Sequence, residues 1–167
     1  MTRSLDLGCG RLPQNPFRAD SLYGIDVYSD STKNIVSADL ALDQIPFETD
    51  FFEYVTAFDF IEHIPRVIYN PTRRNPFVEL MNEIYRVLKP GGIFLSLTPA
   101  YPHPEAFQDP THVNIITEKT FSRYFDDTYC WARMYGFTGA FQMLSQEWYG
   151  ENKEKLLVQM RKVPTPV

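Results

Sequence analysis

Residues 5–10 read Leu5-Asp6-Leu7-Gly8-Cys9-Gly10, and sixteen positions after Gly10 a second apolar run, Tyr23-Gly24-Ile25, closes on Asp26. A short strand ending on two glycines can bring backbone N–H groups, and the N-terminus of a following helix, up to an anionic group. An acid at the tip of the next strand can accept hydrogen bonds from both hydroxyls of a ribose. The pairing predicts an α/β chain whose strand ends converge on one ligand. A plainer reading stands beside it: the glycines make a tight strand-to-helix turn, Asp26 and Asp39 cap helices, and Cys9 is a small buried apolar group.

The rest of the chain supports a mostly parallel sheet. Strands are expected over 4–7, 22–26, 34–38, 54–58, 93–97, 141–145 and 156–160, with helical segments between several of them. The clearest helix covers 75–88, with Asn75 as N-cap, Pro76 at the first helical position, and Phe77, Leu80, Met81, Ile84, Val87 and Leu88 on one face. Lys89-Pro90-Gly91-Gly92 ends it. A first crossover helix over 11–21 meets Pro13 and Pro16 and is expected to be short or distorted. Gly150-Glu151-Asn152-Lys153 is too short for a helical crossover, so the last two strands should pair antiparallel. Another helix should start at Thr117 with Phe121, Tyr124 and Phe125 inward, and the aromatic tract 121–141 reads mainly as core.

A dinucleotide fingerprint would place a third glycine at position 13, which is Pro13, so a nicotinamide-dehydrogenase reading fails. The stretches beyond the glycine turn are more specific: Ala38-Asp39-Leu40, Ile45-Pro46-Phe47, Asp50-Phe51-Phe52-Glu53, Phe58-Asp59-Phe60-Ile61-Glu62-His63-Ile64 and Leu88-Lys89-Pro90-Gly91-Gly92. In that order and spacing the chain, from about residue 3 to 99, resembles the class I S-adenosylmethionine-dependent methyltransferases, in particular their small "type 11" branch. The resemblance implies one Rossmann-like domain over 1–167 with a seven-stranded, mostly parallel sheet, one antiparallel strand and helices on both faces. The helices that usually precede the first strand are expected to be lacking, since only three residues stand there. By the same resemblance S-adenosyl-L-methionine is the cofactor. Asp6, Gly8, Cys9 and Gly10 fall around its methionine part, Asp26 at the ribose, Asp39 and Leu40 at the adenine, and Phe58 and Asp59 beside the sulfonium. Leu12 stands where the family often has a further glycine.

Methyl transfer from a sulfonium is an in-line displacement, so a protein chiefly aligns the acceptor, excludes water and, where needed, removes a proton. Bases cluster in the polar segment 101–112, which leaves a strand end. His112 is the candidate general base, because imidazole titrates near neutrality, with Asp109 orienting it or serving in its place. A loop histidine bonded to backbone is the bland rival. His63, after Glu62, is a candidate for shaping the acceptor side or for a helix cap. His103, Asp109 and His112 lack a spacing that favours a metal, and none is expected.

Two cysteines, Cys9 and Cys130, are too few for a disulfide framework. The formal net charge of −5 and the absence of a basic stripe argue against nucleic acid or an anionic membrane as partner. With no apolar leader or membrane-length stretch, a cytoplasmic, soluble protein is expected. The leading expectation is an enzyme that O- or N-methylates a small-molecule acceptor, with a homodimer covering the pocket mouth. A non-catalytic S-adenosylmethionine or S-adenosylhomocysteine binder is the alternative.

Overall fold

The computed structural model describes residues 1–165. Its elements in chain order are β1 (Arg3–Leu7), β2 (Ser21–Asp26), β3 (Ile35–Ser37), β4 (Phe52–Phe58), a small hairpin of β5 (Ile68–Tyr69) and β6 (Arg73–Arg74), α1 (Pro76–Val87), β7 (Leu88–Pro99), α2 (Glu105–Gln108), α3 (Glu118–Tyr124), β8 (Phe141–Tyr149) and β9 (Lys155–Lys162). Seven strands form one sheet in the order β3-β2-β1-β4-β7-β9-β8. β1, β2, β3, β4 and β7 pair in parallel. β9 runs against both β7 and β8, as the short turn after Tyr149 predicts, with Gly150 at φ +101° supplying the reversal. The chain leaves β1 toward β2 on one side and enters β4 on the other, so a crevice opens at the carboxyl ends of β1 and β4, where such sheets hold ligands.

Leu5, Val55 and Phe94 stand in register across β1, β4 and β7 and share one face of the sheet. All three are fully buried there. α1 packs on that face because Phe77, Leu80, Met81, Ile84 and Val87 recur at helical spacing, and each is buried. α3 joins it: Phe121 lies 6.2 Å from Phe77 and 6.4 Å from Phe94, ring centre to ring centre. Thr117 caps α3 through a reciprocal pair with Thr120, as its residue type suggests. Asn75 precedes α1 by position only. Its side chain makes no capping bond, and Pro76 at the first turn needs none.

The opposite face is covered differently. The layers expected on both faces of the sheet are unequal, since 11–20 contains no helix at all rather than a distorted one. Pro13 and Pro16 remove backbone donors, and Asn15 offers the chain an alternative by bonding Ala19 with both ends of its amide, at 2.8 and 3.0 Å. Phe17 from this stretch stacks on Tyr54 at 4.3 Å, which anchors the irregular segment to the sheet. The Lys89–Gly92 stretch is part of β7, not a separate turn. Register passes from Phe52 opposite Leu88 to Tyr54 opposite Ile93, so the strand bulges, and Gly91 takes φ +79° to allow it. In the aromatic tract Phe121, Phe125, Phe137 and Phe141 are buried, whereas Tyr129, Trp131 and Tyr135 stay about half exposed. Among the described residues no helix is long and apolar enough to cross a membrane.

Candidate functional site

The loop after β1 is shaped by Asp6, Gly8 and Gly10. Gly8 and Gly10 have φ of +64° and +56°, a region that disfavours any side chain. A Cβ on Gly8 would also overlap the ring of Phe60, which lies against the turn. Asp6 is 1 % exposed, and both its carboxylate oxygens are taken: Thr56 Oγ1 donates at 2.7 Å and the Gln14 N–H at 2.8 Å. It therefore ties the loop to β4 instead of facing a ligand. The Cys9 N–H donates to Ile25 O and the Gly10 N–H to Asp26 Oδ2, so the N–H groups expected to face an anion are engaged within the protein. No helix N-terminus follows them. Burial, then the charges of Asp6 and Asp26, push the Cys9 thiol up to about 12, which leaves it an inert packing group.

Burial raises the Asp6 carboxyl to about 6 from an ordinary value near 3.8, against the two hydrogen bonds that lower it. The folded protein thus binds more protons than the unfolded chain between those pH values, and stability falls as pH rises through the window, by on the order of 3 kcal/mol from this group. Asp6→Asn keeps an acceptor for Gln14, and Thr56 can turn its hydroxyl toward Leu5 O to accept from the new amide. Urea midpoints at pH 4.5 and pH 7 should drop less with pH in Asp6→Asn than in wild type. An identical drop in both proteins would contradict this assignment.

At the ends of the next strands Asp26 and Asp39 face one cleft. Asp26 Oδ2 accepts from Gly10 N at 2.9 Å and Oδ1 from Val27 N at 2.8 Å. Each oxygen keeps a second lone pair, the number a vicinal diol requires. Asp39 begins a tight turn, with Oδ1 accepting from Ala41 N at 3.0 Å and its carbonyl from Leu42 and Asp43. The cleft holds about 310 Å³ and is walled by Gly8, Asp26, Asp39, Leu40, Asp59 and His63, with Ile25, Val27, Phe60 and Ile64 among the apolar contributors. Asp59 sits in the left-handed region at φ +48° and pairs with Lys155 Nζ at 2.6 Å.

Beyond His63 lies a second group of polar side chains. Glu62 is 1 % exposed; Thr98 donates to its Oε2, while Oε1 has no partner among the described residues. Burial raises the carboxyl of Glu62 above the usual carboxylate range. The rings of His63 and His112 meet edge to face at 4.9 Å, and His112 Nε2 is 4.0 Å from Glu62 Oε1. The Glu62 carbonyl accepts from Val113 and Asn114, both at 2.9 Å, which pins the segment carrying His112 against the end of β4.

A family model described as a methyltransferase domain matches residues 2–129. The chain belongs to that methyltransferase family. Among solved structures, an S-adenosylmethionine-dependent methyltransferase from Archaeoglobus fulgidus is similar at 16 % identity, with 96 % of this chain and 86 % of that one covered and a TM-score of 0.64. One from Aquifex aeolicus shows 13 % identity over 97 % and 82 % of the two chains, at 0.61. The [4+2]-cyclase SpnF is similar too, at 15 % identity, 97 % and 74 % coverage and 0.60. At such identities the likeness speaks for the shared fold, and a cyclase on it shows that the fold leaves the reaction open. No curated protein matches in sequence.

Within this methyltransferase domain the structure gathers Gly8, Asp26, Asp39, Leu40 and Asp59 round one cleft. Asp6, Cys9, Gly10 and Phe58 lie outside its walls: Asp6 and Gly10 brace the loop, and Phe58 ends β4. The expectation that Asp109 orients His112 is corrected. Asp109 Oδ1 accepts from the hydroxyl and N–H of Thr111, at 2.6 and 2.8 Å, bonds that hold its carboxyl below the usual range. Thr111 Oγ1 then meets His63 Nδ1 at 2.9 Å. His112 is instead fixed by Glu105 O, 3.1 Å from its Nδ1. Sequence reasoning missed Glu62 and Phe60, and undervalued His63 as the imidazole on the cleft wall. An acid beside a histidine just after a strand was the available signal for the first and last of these.

Proposed function

We propose that this protein transfers a methyl group from S-adenosylmethionine to an oxygen or nitrogen of a small-molecule acceptor. The observation that carries the reading is the cleft that joins Gly8 after β1, Asp26 at the end of β2, Asp39 after β3 and Asp59 after β4. Its donor and acceptor set suits the cofactor. Asp26 has two lone pairs left for the ribose hydroxyls, Asp39 Oδ2 is uncommitted among the described residues and can accept from the adenine amine, and Leu40, Ile25 and Ile64 offer apolar walls for the ring. The cofactor supplies a methyl group on a positively charged sulfur. The chain's part is to hold it with Asp26 and Asp39, keep Asp59 fixed through Lys155, and receive the acceptor beside His63. Activation of the acceptor, by easing the loss of its proton, falls to the cluster of Glu62, His63 and His112.

A formal net charge of −5 supports a small acceptor over a nucleic acid. Calorimetry tests the cofactor half of the reading: S-adenosylhomocysteine should bind one to one, and NAD should not bind comparably. Absence of S-adenosylhomocysteine binding would refute it.

A further inference from the structure

Glu62, His63 and His112 each offer a ligand atom, and the three atoms lie within 4.8 Å of one another. The carboxylate oxygen that Glu62 points into this group is buried and has no hydrogen-bond partner among the described residues. His112 Nε2, at 4.0 Å, is too far to serve as one. An orphaned carboxylate oxygen in the interior is costly, so something that attracts it is wanted at this point.

The His112 ring is held as a metal ligand commonly is, by an outer partner on the nitrogen away from Glu62, and the His63 ring has an outer partner on Nδ1. A carbonyl can only accept, so Glu105 O draws the His112 proton to Nδ1 and leaves Nε2 bare toward Glu62. The Thr111 hydroxyl donates to Asp109, so its oxygen accepts from His63 Nδ1 and leaves that ring's other nitrogen bare as well. Two imidazoles and a carboxylate favour a first-row transition ion over magnesium or calcium. Ligand atoms about 2.1 Å from a tetrahedral ion stand about 3.4 Å apart. Glu62 and His112 would close from 4.0 Å, and no pair in the group from more than 4.8 Å, a change within reach of side-chain rotation.

We propose that Glu62, His63 and His112 bind one divalent transition-metal ion, of the zinc or manganese kind, at the acceptor end of the cofactor cleft. The site deepens the methyl-transfer reading and rests on it for its purpose, because His63 also lines that cleft. Three protein ligands leave coordination positions open for an acceptor hydroxyl. Bound there, the hydroxyl loses its proton to water more readily. Its oxygen then attacks the methyl carbon as the carbon–sulfur bond breaks, and that bond's electron pair stays on sulfur. The substrate class this implies is an oxygen acceptor, above all one with a second oxygen close enough to chelate.

Cobalt(II) chloride titrated into the full chain, followed by visible absorption, reads the site without any turnover. One ion per chain should saturate a ligand-field spectrum, and His63→Ala and His112→Ala should each weaken binding at least tenfold. Thr111→Val removes the outer partner of His63, and with it the hydroxyl's bond to Asp109, while all three ligands stay; it should weaken binding about tenfold. Because Thr111 is exposed, that variant keeps the test available if loss of the largely buried His112 ring prevents folding. No saturable spectrum in wild type, or unchanged binding in both histidine variants, overturns the ion site. Calorimetry with S-adenosylhomocysteine on the same preparation separates the two claims. If that ligand binds and cobalt does not, the ion site falls and methyl transfer stands; if cobalt binds and that ligand does not, the reverse holds.

Discussion

Alanine in place of His112 should lower methyl transfer to an oxygen acceptor by about 10²–10⁴-fold and leave S-adenosylhomocysteine affinity within about threefold of wild type. The separation is a matter of position. His112 is not a wall of the cleft that Asp26 and Asp39 line, but its ring touches His63, which is. It also faces the buried Glu62 oxygen at 4.0 Å. Loss of the ring therefore removes proton handling at the acceptor end while the nucleotide end is untouched. The measurement is release of S-adenosylhomocysteine at saturating S-adenosylmethionine, with kcat and KM for the acceptor determined separately; kcat should carry the loss. Asp109→Asn loosens the Thr111 hydroxyl that holds His63 and removes a negative charge near both imidazoles, and should cost about tenfold. Wild-type turnover in His112→Ala would show that alignment alone drives the reaction.

Asp26→Ala should weaken S-adenosylhomocysteine by about 1.5–3 kcal/mol, a 10- to 150-fold rise in Kd, the scale of hydrogen bonds to a charged group. The carboxylate has a double task. It receives the Gly10 and Val27 N–H groups, which sets the rim of the cleft, and in the proposed function its remaining lone pairs take the ribose hydroxyls. Removing it leaves those two N–H groups to solvent, since both residues are exposed, so unfolding stability should fall by no more than about 1–2 kcal/mol. Calorimetric titration beside thermal unfolding distinguishes the two effects. Unchanged affinity in a folded variant would remove Asp26 from the ribose site.

The legible part of this fold is the part written in local pattern. The main strands arise from stretches rich in apolar residues, five of the seven closing on or directly before Gly, Asp or Pro, and α1 arises from the spacing of Phe77, Leu80, Met81 and Ile84 behind Pro76. The reversal of β9 comes from the shortness of the turn at Gly150. The stretch 11–20 was legible only as trouble: Pro13 and Pro16 signal a poor helix, but the choice of irregular chain depends on Asn15 folding back on Ala19 and Phe17 finding Tyr54.

The site divides along the same line. Asp26 and Asp39 reach one cleft because strand ends in a parallel sheet converge, which spacing reveals. Asp6 looked like a ligand group from its place in the glycine turn, yet its oxygens are consumed by Thr56 and Gln14, fifty and eight positions away. Asp109 and His112 look like a pair because they are three residues apart. The intervening Thr111 takes the carboxylate for itself and hands its effect to His63, and no local pattern announces that. Glu62 is hidden for a related reason, since its burial depends on Thr98 and on the segment carrying Val113 and Asn114.

A crystal structure of the protein with S-adenosylhomocysteine is the most direct test of the cofactor site. The account predicts the ribose hydroxyls on Asp26, the adenine between Asp39 and Leu40, and the sulfur directed toward His63. A ligand seated anywhere else on the sheet, or one in this cleft with its sulfur turned away from His63, would contradict it.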